Sequence, residues 1–258
     1  MEIIEEVNKK MPKLTPVKEV MKILIPDIID GIPNRNGFIW VLTGSGGSGK
    51  TSLLLNFFRT KQLYKAKFSN LYYICPQSSF LSVQKHPFEK HDPSKIYHEL
   101  NESVLDEIYS ELKDIKIENV EMEKQDEEDE NEGLDKQDYQ YNCVIIDDMA
   151  DSLKNVDIQK KLNQMLIKAR HLSCAFIFTL QSYHYLPKIF RKQITNLTIF
   201  KPKNNEEMES IAKEILHMKK DDGLKLYEYV FNEPYAHLDV DTLTDTLYKN
   251  FNRLTIKK

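Results

Sequence analysis

The chain has 258 residues, 41% of them hydrophobic, which is enough for one large α/β domain with a continuous core. Its formal net charge is −4, but the segment 118–138 holds eleven acidic residues against two lysines, so the remainder carries about +5. No apolar stretch approaches the roughly 18 residues of a membrane-spanning helix, and the charged start MEIIEEVNKK lacks a signal-peptide core; these features exclude a membrane protein and predict an intracellular protein that is not secreted.

Five short apolar runs predict the strands of a parallel sheet. They are rich in β-branched and aromatic residues and lack strict alternation, which is typical of strands covered on both faces. The runs are FIWVLT (38–43), NLYYIC (70–75), CVIID (143–147), CAFIFTL (174–180) and NLTIF (196–200). Helical patterns separate them at 52–64, 98–115 and 157–171. The alternation predicts an α/β fold with a mostly parallel central sheet flanked by helices.

The acidic stretch and the C-terminal part complete a predicted single domain over 1–258. Residues 118–140 are almost free of large apolar side chains, so we predict a disordered insertion there. It is either a solvated surface or a charged gate. A helix over 205–218 then opens a C-terminal extension, which starts at about residue 204 and adds to the same core.

Cysteine and histidine usage points away from disulfides and metal clusters. Cys75, Cys143 and Cys174 lie in or beside apolar runs and form no CxxC pair, which indicates buried, reduced thiols. Three histidines are too scattered to form a metal site: His171, His184 and His217.

The stretch GSGGSGKT at 44–51 fits the pattern G-x-x-x-x-G-K-T and stands between a predicted strand and a predicted helix. Its glycines allow the backbone N–H groups to face a β-phosphate, and the helix dipole favours the same negative charge. Lys50 is expected to reach the β- and γ-phosphates, and the Thr51 hydroxyl to ligate Mg²⁺. We therefore predict a site for ATP with Mg²⁺, formed by Gly44, Ser45, Gly46, Gly47, Ser48, Gly49, Lys50, Thr51 and Ser52.

The run CVIIDD supplies two carboxylates at the end of a predicted strand. Asp147 is expected to hold Mg²⁺ through water, and Asp148 to orient or deprotonate the attacking water. Asp148 could instead cap the helix that follows. The pair comes about one hundred residues after the phosphate loop, with NLYYIC intervening. This spacing predicts an additional strand between the two motif strands, as in the additional-strand class of P-loop NTPases, most of which are ATP-driven machines.

Gln181 follows the run CAFIFTL directly. At the end of a strand beside the phosphate strand, a neutral amide could contact both the γ-phosphate and the attacking water. We predict that Gln181 reports hydrolysis to the rest of the fold, the alternative being an ordinary polar residue at the end of a strand.

These motifs together resemble the genome-packaging ATPases of large double-stranded DNA viruses and their virophages, within the HerA–FtsK superfamily. The resemblance is carried by the loop, by CVIIDDM, and by Arg170-His171, Gln181-Ser182, Leu186-Pro187 and the strand that ends at Phe200. It covers roughly residues 35–240. The sequence departs from the family in the acidic segment 118–138, and in Asp148 where many members have Glu.

The resemblance implies a homo-oligomeric ring that threads double-stranded DNA through its centre while hydrolysing ATP. It also implies a capsid or portal-type partner, and a location in the virion or in a virus factory of the host cytoplasm. An arginine from one subunit would complete the site of its neighbour. Arg170 is the first candidate, although a cation near a helix C-terminus also fits this position; Arg191 is the second.

A basic cluster beyond Gln181 is the predicted DNA contact, because a motor that moves any sequence needs phosphate contacts without base readout. Its members are Lys188, Arg191, Lys192, Lys201 and Lys203, and a solvated basic surface is the alternative. A nucleotide-gated switch or assembly protein without DNA translocation is the alternative function. A small-molecule kinase is disfavoured, because Asp148 suits the activation of water.

Overall fold

The computed structural model describes residues 23–29, 31–129 and 139–256. In chain order the elements are β1 (Ile39–Thr43), α1 (Lys50–Arg59), β2 (Asn70–Ile74), α2 (Gln77–Leu81), β3 (Ile96–Tyr97), α3 (Glu102–Asp129), β4 (Asn142–Asp147), α4 (Val156–Ile167), β5 (Cys174–Leu180), α5 (Lys188–Arg191), β6 (Asn196–Phe200), α6 (Asn205–Glu214), α7 (Lys220–Val230), β7 (His237–Asp241), β8 (Thr246–Lys249) and β9 (Asn252–Arg253). Each predicted strand is present within one or two residues of its expected bounds.

One sheet collects all nine strands of the described chain in the order β3-β2-β4-β5-β1-β6-β7-β8-β9. The strands from β3 to β6 run parallel, and β7, β8 and β9 continue the sheet in antiparallel pairs. The strand that lies between β1 and β4 is β5, which follows both motifs in the sequence. The predicted additional strand is therefore present, whereas the intervening run 70–75 forms β2 on the far side of β4.

The two faces of the sheet are both covered, which explains the continuous apolar runs. Alternate residues of β1 enter different clusters: Ile39 and Val41 pack on the face that carries α3, α4, α6 and α7, and Trp40 and Leu42 on the face that carries α1. All residues of β1, β4 and β5 are buried. Among the described helices, none combines the length and apolar composition needed to cross a bilayer.

The prediction of a disordered insertion at 118–140 is wrong for residues 118–129, which continue helix α3. The Asn119 side chain donates to the carbonyl of Gln140 and accepts from its N–H, both at 2.9 Å, so the helix is tied to the chain entering β4. Residues 130–138 lie outside the described part of the chain. The inner stripe of α3 continues at helical spacing through Leu105, Ile108, Leu112, Ile115, Asn119 and Glu123.

The residues after 204 extend the sheet beyond what the sequence predicts. Helix α6 begins at the expected place, because the Asn204 side chain accepts from the N–H of Glu207 at 3.0 Å and caps it. It ends at Glu214, before the predicted end at residue 218. Helix α7 and the strands β7, β8 and β9 follow. The division into one domain with a C-terminal extension stays a prediction.

Candidate active site

The phosphate loop connects β1 to α1 at the carboxyl edge of the parallel strands. Gly47 and Gly49 have φ of 76° and 104°, a region that side chains other than glycine rarely adopt. Within the described chain, the N–H groups of Gly46, Gly47 and Gly49 donate to no other group. The first N–H groups of α1 are also available, and no side chain caps this helix. The loop therefore presents a set of N–H donors that suits an anion.

Lys50 is buried and lies along the loop. Its Nζ donates to the carbonyl oxygens of Gly44 at 2.5 Å and Ser45 at 3.0 Å. Burial lowers the pKa of Lys50, and the charges of Asp148 and Asp147 act in the opposite direction. Lys50 is thus held beside two carboxylates, next to the N–H groups that would hold phosphates.

Asp147 ends β4 and is almost fully buried. Tyr73 of β2 donates its hydroxyl to Oδ2 at 2.6 Å, and Thr179 of β5 donates its hydroxyl to Oδ1. Burial raises the pKa of Asp147, and the two hydroxyl donors partly oppose the rise. The carboxylate is therefore fixed in one orientation by side chains from both neighbouring strands.

Asp148 is exposed and has a φ of 56°, an uncommon conformation for a residue other than glycine. Its N–H lies 3.2 Å from both the carbonyl oxygen and the hydroxyl of Thr179, and Oδ1 accepts from Gln181 Nε2 at 3.1 Å. The cap of α4 is instead Asn155, which accepts from the N–H of Asp157 at 2.8 Å. The alternative role of Asp148 as a helix cap therefore has no support in the structure.

These side chains line one cavity of about 450 Å³. The predicted site residues that border it are Gly46, Gly47, Lys50, Thr51, Ser52, Asp147, Asp148 and Gln181. The described chain has no cluster of three His, Cys, Asp or Glu side chains that could enclose a metal alone. The donors present fit Mg²⁺, because this ion is commonly held by one or two protein oxygens together with phosphates and water.

Arg170 and Arg191 do not join this cavity. Arg170 is exposed and precedes β5, so it lies at the amino edge of the strands, opposite the phosphate loop. Its backbone approaches Gly37 so closely that a Cβ at Gly37 would lie 2.4 Å from the Arg170 nitrogen. Arg191 lies 4.5 Å above the Tyr183 ring and binds Glu214 at 3.0 Å. This arrangement favours a structural role for Arg191.

The predicted DNA contacts fall on two parts of the chain. Lys188 and Lys192 are exposed at α5, which precedes β6, whereas Lys201 and Lys203 are exposed just after β6 at the carboxyl edge. Arg191, between the first two, is engaged within the chain. The DNA role of this cluster stays a prediction.

Three residues that contact the site were missed by the sequence analysis. Tyr73 and Thr179 bind Asp147, and both lie inside runs identified only as strands. Glu207 is buried at the start of α6, where its Oε1 accepts from the Tyr183 N–H at 2.5 Å and lies 3.4 Å from the Thr43 hydroxyl. Glu207 thereby joins the residue before the phosphate loop to the turn after Gln181. A polar residue inside an apolar strand was the available signal for Thr179.

A phosphate loop after β1, an acid pair at the end of β4 and an additional strand, β5, between these two strands define a P-loop NTPase of the additional-strand class. Residues 33–233 match the model of a family described as the Poxvirus A32 protein, and the chain belongs to this family. The predicted resemblance to viral genome-packaging ATPases of the HerA–FtsK type is thereby confirmed, as are the predicted ATPase class and DNA-packaging function. No curated protein matches the sequence.

Solved structures share the fold. The DNA-packaging ATPase B204 from Sulfolobus turreted icosahedral virus is 18% identical, with a TM-score of 0.56 over 86% of this chain and 98% of that one. The genome-packaging NTPase B204 from Sulfolobus turreted icosahedral virus 2, in complex with ATPγS, is 17% identical, with a TM-score of 0.53 over 86% of this chain and 99% of that one. The cytoplasmic domain of the type VII secretion ATPase EccC from Thermomonospora curvata is 13% identical, with a TM-score of 0.54 over 85% of this chain and 26% of that one. At these identities the likeness establishes the fold.

Proposed function

We propose that this chain hydrolyses Mg²⁺-bound ATP to translocate double-stranded DNA, working as a ring of identical subunits on a capsid or portal-type partner. The observation that carries the proposal is the single cavity that brings together Lys50, Thr51, Asp147, Asp148 and Gln181. Lys50 lies beside the phosphate-binding loop. Thr51 and Asp147 offer two oxygens for a metal ion, and Asp148 offers an acid for the attacking water next to the amide of Gln181. A site for a neutral ligand would not need this concentration of charge.

The residues divide the reaction among them. The loop N–H groups and Lys50 bind the β- and γ-phosphates, and Thr51 and Asp147 would hold Mg²⁺. When bound, this ion would supply neutralisation of the charge that develops on the phosphate oxygens. Asp148 orients a water molecule and accepts its proton as the water oxygen bonds to the γ-phosphorus. The bond from the γ-phosphorus to the β–γ bridging oxygen breaks, which gives ADP and phosphate.

Gln181 connects this chemistry to the fold. Its amide donates to Asp148 Oδ1, and a bound γ-phosphate would offer the amide a second acceptor that hydrolysis removes. The following turn is held by Glu207, which also lies near Thr43 at the start of the loop. A rearrangement at Gln181 would therefore shift α5 and α6. Two of the exposed lysines proposed to contact DNA lie in α5 or directly after it, namely Lys188 and Lys192.

The solved relatives support nucleotide as the ligand, because one B204 structure contains ATPγS and another contains AMPPCP. The other B204 protein is described as a DNA-packaging ATPase, which supports DNA as the object that is moved. The ring, the capsid partner and Mg²⁺ are our own proposals for this chain.

The deciding measurement is the ATPase rate with and without double-stranded DNA across a salt series. DNA should raise the rate, and the stimulation should fall as salt rises because phosphate contacts release counterions. Lys50→Ala is the control that separates this activity from a contaminant, since it removes the contact to the phosphates. A rate that ignores DNA at every salt concentration would support the nucleotide-gated switch instead.

A mixing experiment tests the shared site. Arg170 lies at the edge opposite its own cavity, so it could complete only the site of a neighbouring subunit. An arginine finger contributes roughly 10³- to 10⁵-fold in rate. Arg170→Ala and Asp148→Asn should each be inactive alone, and mixed rings should recover part of the activity. Recovery with Arg191→Ala in place of Arg170→Ala would identify Arg191. If mixed rings form and no mixture recovers activity, neither arginine acts in trans.

A further inference from the structure

A second part of the phosphate loop faces an aromatic wall that the proposed chemistry does not use. A cavity of about 650 Å³ extends from Gly47 and the first turn of α1 to Phe200, Tyr235 and His237. A neighbouring cavity of about 460 Å³ shares Phe200 and Tyr235 and continues to Lys201 and Lys203. Neither cavity is bordered by Asp147, Asp148 or Gln181, so both lie on the other side of the loop from the acid pair.

Tyr235 is held over the loop in an unusual way. Its φ is 61°, a left-handed conformation that is rare for a bulky side chain, yet the residue is 72% exposed. A Cβ built at Gly49 would lie 3.4 Å from both Tyr235 Cδ1 and Phe200 Cε1, so the two rings stand at the loop backbone itself. An exposed ring that is kept in a strained position beside an anion-binding loop indicates a role in binding.

His237 forms a fixed, buried end of the same wall. Its Nδ1 lies 2.9 Å from both carboxylate oxygens of Asp239, and its ring packs on Phe200 with centroids 5.2 Å apart. Asp239 also accepts from the Thr198 hydroxyl at 2.7 Å, and that hydroxyl accepts from the Trp40 indole N–H at 2.9 Å. A hydrogen-bonded chain through three strands therefore holds His237 in one orientation against the cavity.

We propose that this wall of Phe200, Tyr235 and His237 is the nucleobase subsite, with the base packed against the exposed Tyr235 ring. The proposal rests on the proposed function in that the ligand is a nucleoside triphosphate. Lys50, the acid pair and Gln181 place the γ-phosphate on one side of the loop. The nucleoside end must then leave the loop elsewhere, and the cavity along the first turn of α1 leads to these rings.

The test compares two probes that share the phosphates and differ in the base: Mg²⁺·ATP and Mg²⁺·inorganic triphosphate. Stacking of a base on an aromatic ring is lost on substitution by alanine at a cost of roughly 5- to 150-fold in affinity. Tyr235→Ala should therefore raise the Kd for ATP by such a factor and leave that for inorganic triphosphate unchanged. Tyr235→Phe should keep ATP affinity, and Tyr229→Ala, at an exposed tyrosine of α7, is the matched control.

Steady-state kinetics separate a binding role from a structural one. Tyr235 is remote from the reacting atoms, so Tyr235→Ala should raise KM for ATP with kcat at saturation unchanged. An equal loss for both probes would mean that Tyr235 only supports the loop, and would overturn the subsite. Unchanged ATP affinity, or a loss confined to stimulation by DNA, would overturn it too. Failure of the wild-type chain to bind ATP at all would instead contradict the proposed function.

Discussion

The two sides of the phosphate loop are built from different chemistry. On one side Tyr73, Thr179 and Gln181 hold a pair of carboxylates through hydrogen bonds. On the other side Phe200 and Tyr235 present rings, and the polar His237 binds Asp239 through its Nδ1. In the proposed mechanism, the interactions that change during hydrolysis lie on the first side, whereas the contacts proposed for the second side are the same before and after the reaction. Only the first kind can accelerate the chemical step.

The largest effect that separates the two sides is expected from Asp148→Asn. An amide cannot accept the proton of the attacking water, so kcat should fall by about 10²- to 10⁴-fold, with nucleotide affinity retained. The measurement is phosphate release together with ATP binding at equilibrium. Asp151→Asn is the control, because Asp151 is an exposed acid three residues away that pairs with Lys154. Near-normal turnover in Asp148→Asn would place the base elsewhere.

A smaller effect is expected from Tyr73→Phe, which removes one of the two hydroxyl donors to Asp147. Groups that orient metal-binding carboxylates typically change metal affinity or activity by about 10- to 100-fold. The concentration of Mg²⁺ at half-maximal activity should therefore rise, or kcat fall, within that range. Tyr72→Phe tests the same strand from its opposite face, since that hydroxyl binds Glu111 at 2.6 Å. Equal behaviour of the two variants would show that Tyr73 has no special part.

A double-mutant cycle sharpens the comparison further. If the two sides are independent, Tyr235→Ala should weaken ATP binding by the same free energy in the wild type and in Asp148→Asn, to within about 0.5 kcal/mol. The measurement is the Kd for ATP in the wild type, the two single variants and the double variant. A larger coupling energy would mean that the base and the γ-phosphate are sensed together across the loop.

The smallest effect concerns pH and a histidine behind Asp147. His86 is buried against Tyr73 and Phe80, and burial lowers its pKa from 6.5 to about 4. Between pH 4 and 6.5 the unfolded chain therefore binds a proton that the folded chain does not, so the free energy of unfolding should fall as pH falls through that range. His86 Nδ1 accepts from the Phe88 N–H at 3.2 Å, and an asparagine oxygen would replace this acceptor. Denaturant titrations should therefore show a shallower pH dependence of the free energy of unfolding in His86→Asn. An unchanged slope in His86→Asn would show that His86 does not cause the pH dependence.

The residues on the acid-pair side of the phosphate loop could be predicted, because each is marked by a short pattern of neighbouring residues in the sequence. A loop pattern between a strand and a helix, and acids or an amide at strand ends, identify Lys50, Asp147, Asp148 and Gln181 without knowledge of strand order. Tyr73 could not be assigned in the same way. Its contact with Asp147 depends on β2 pairing with β4, and strand neighbours far apart in sequence are not encoded in a local pattern.

The aromatic side was missed for a related reason. His237 and Tyr235 belong to a region of short, polar strands, where β7 pairs antiparallel to β6 and brings the two residues back to the loop. Composition was also misleading at 118–129, where acidic side chains suggested disorder. The buried stripe through Ile115 and Asn119, and the two hydrogen bonds between Asn119 and Gln140, explain why those residues are helical.

The close approach of Gly37 to the backbone of Arg170 has a mechanical consequence. At the other end of β1, a Cβ on Gly44 would lie 2.6 Å from Phe200 Cβ, so the strand abuts rigid neighbours at both ends. Its five residues span about 16 Å and are hydrogen-bonded on both sides by β5 and β6. A strand held in this way should move along its axis as a rigid unit, with little change in its own length. In the proposed ring, a push on Arg170 from an adjacent subunit would thus displace the phosphate loop.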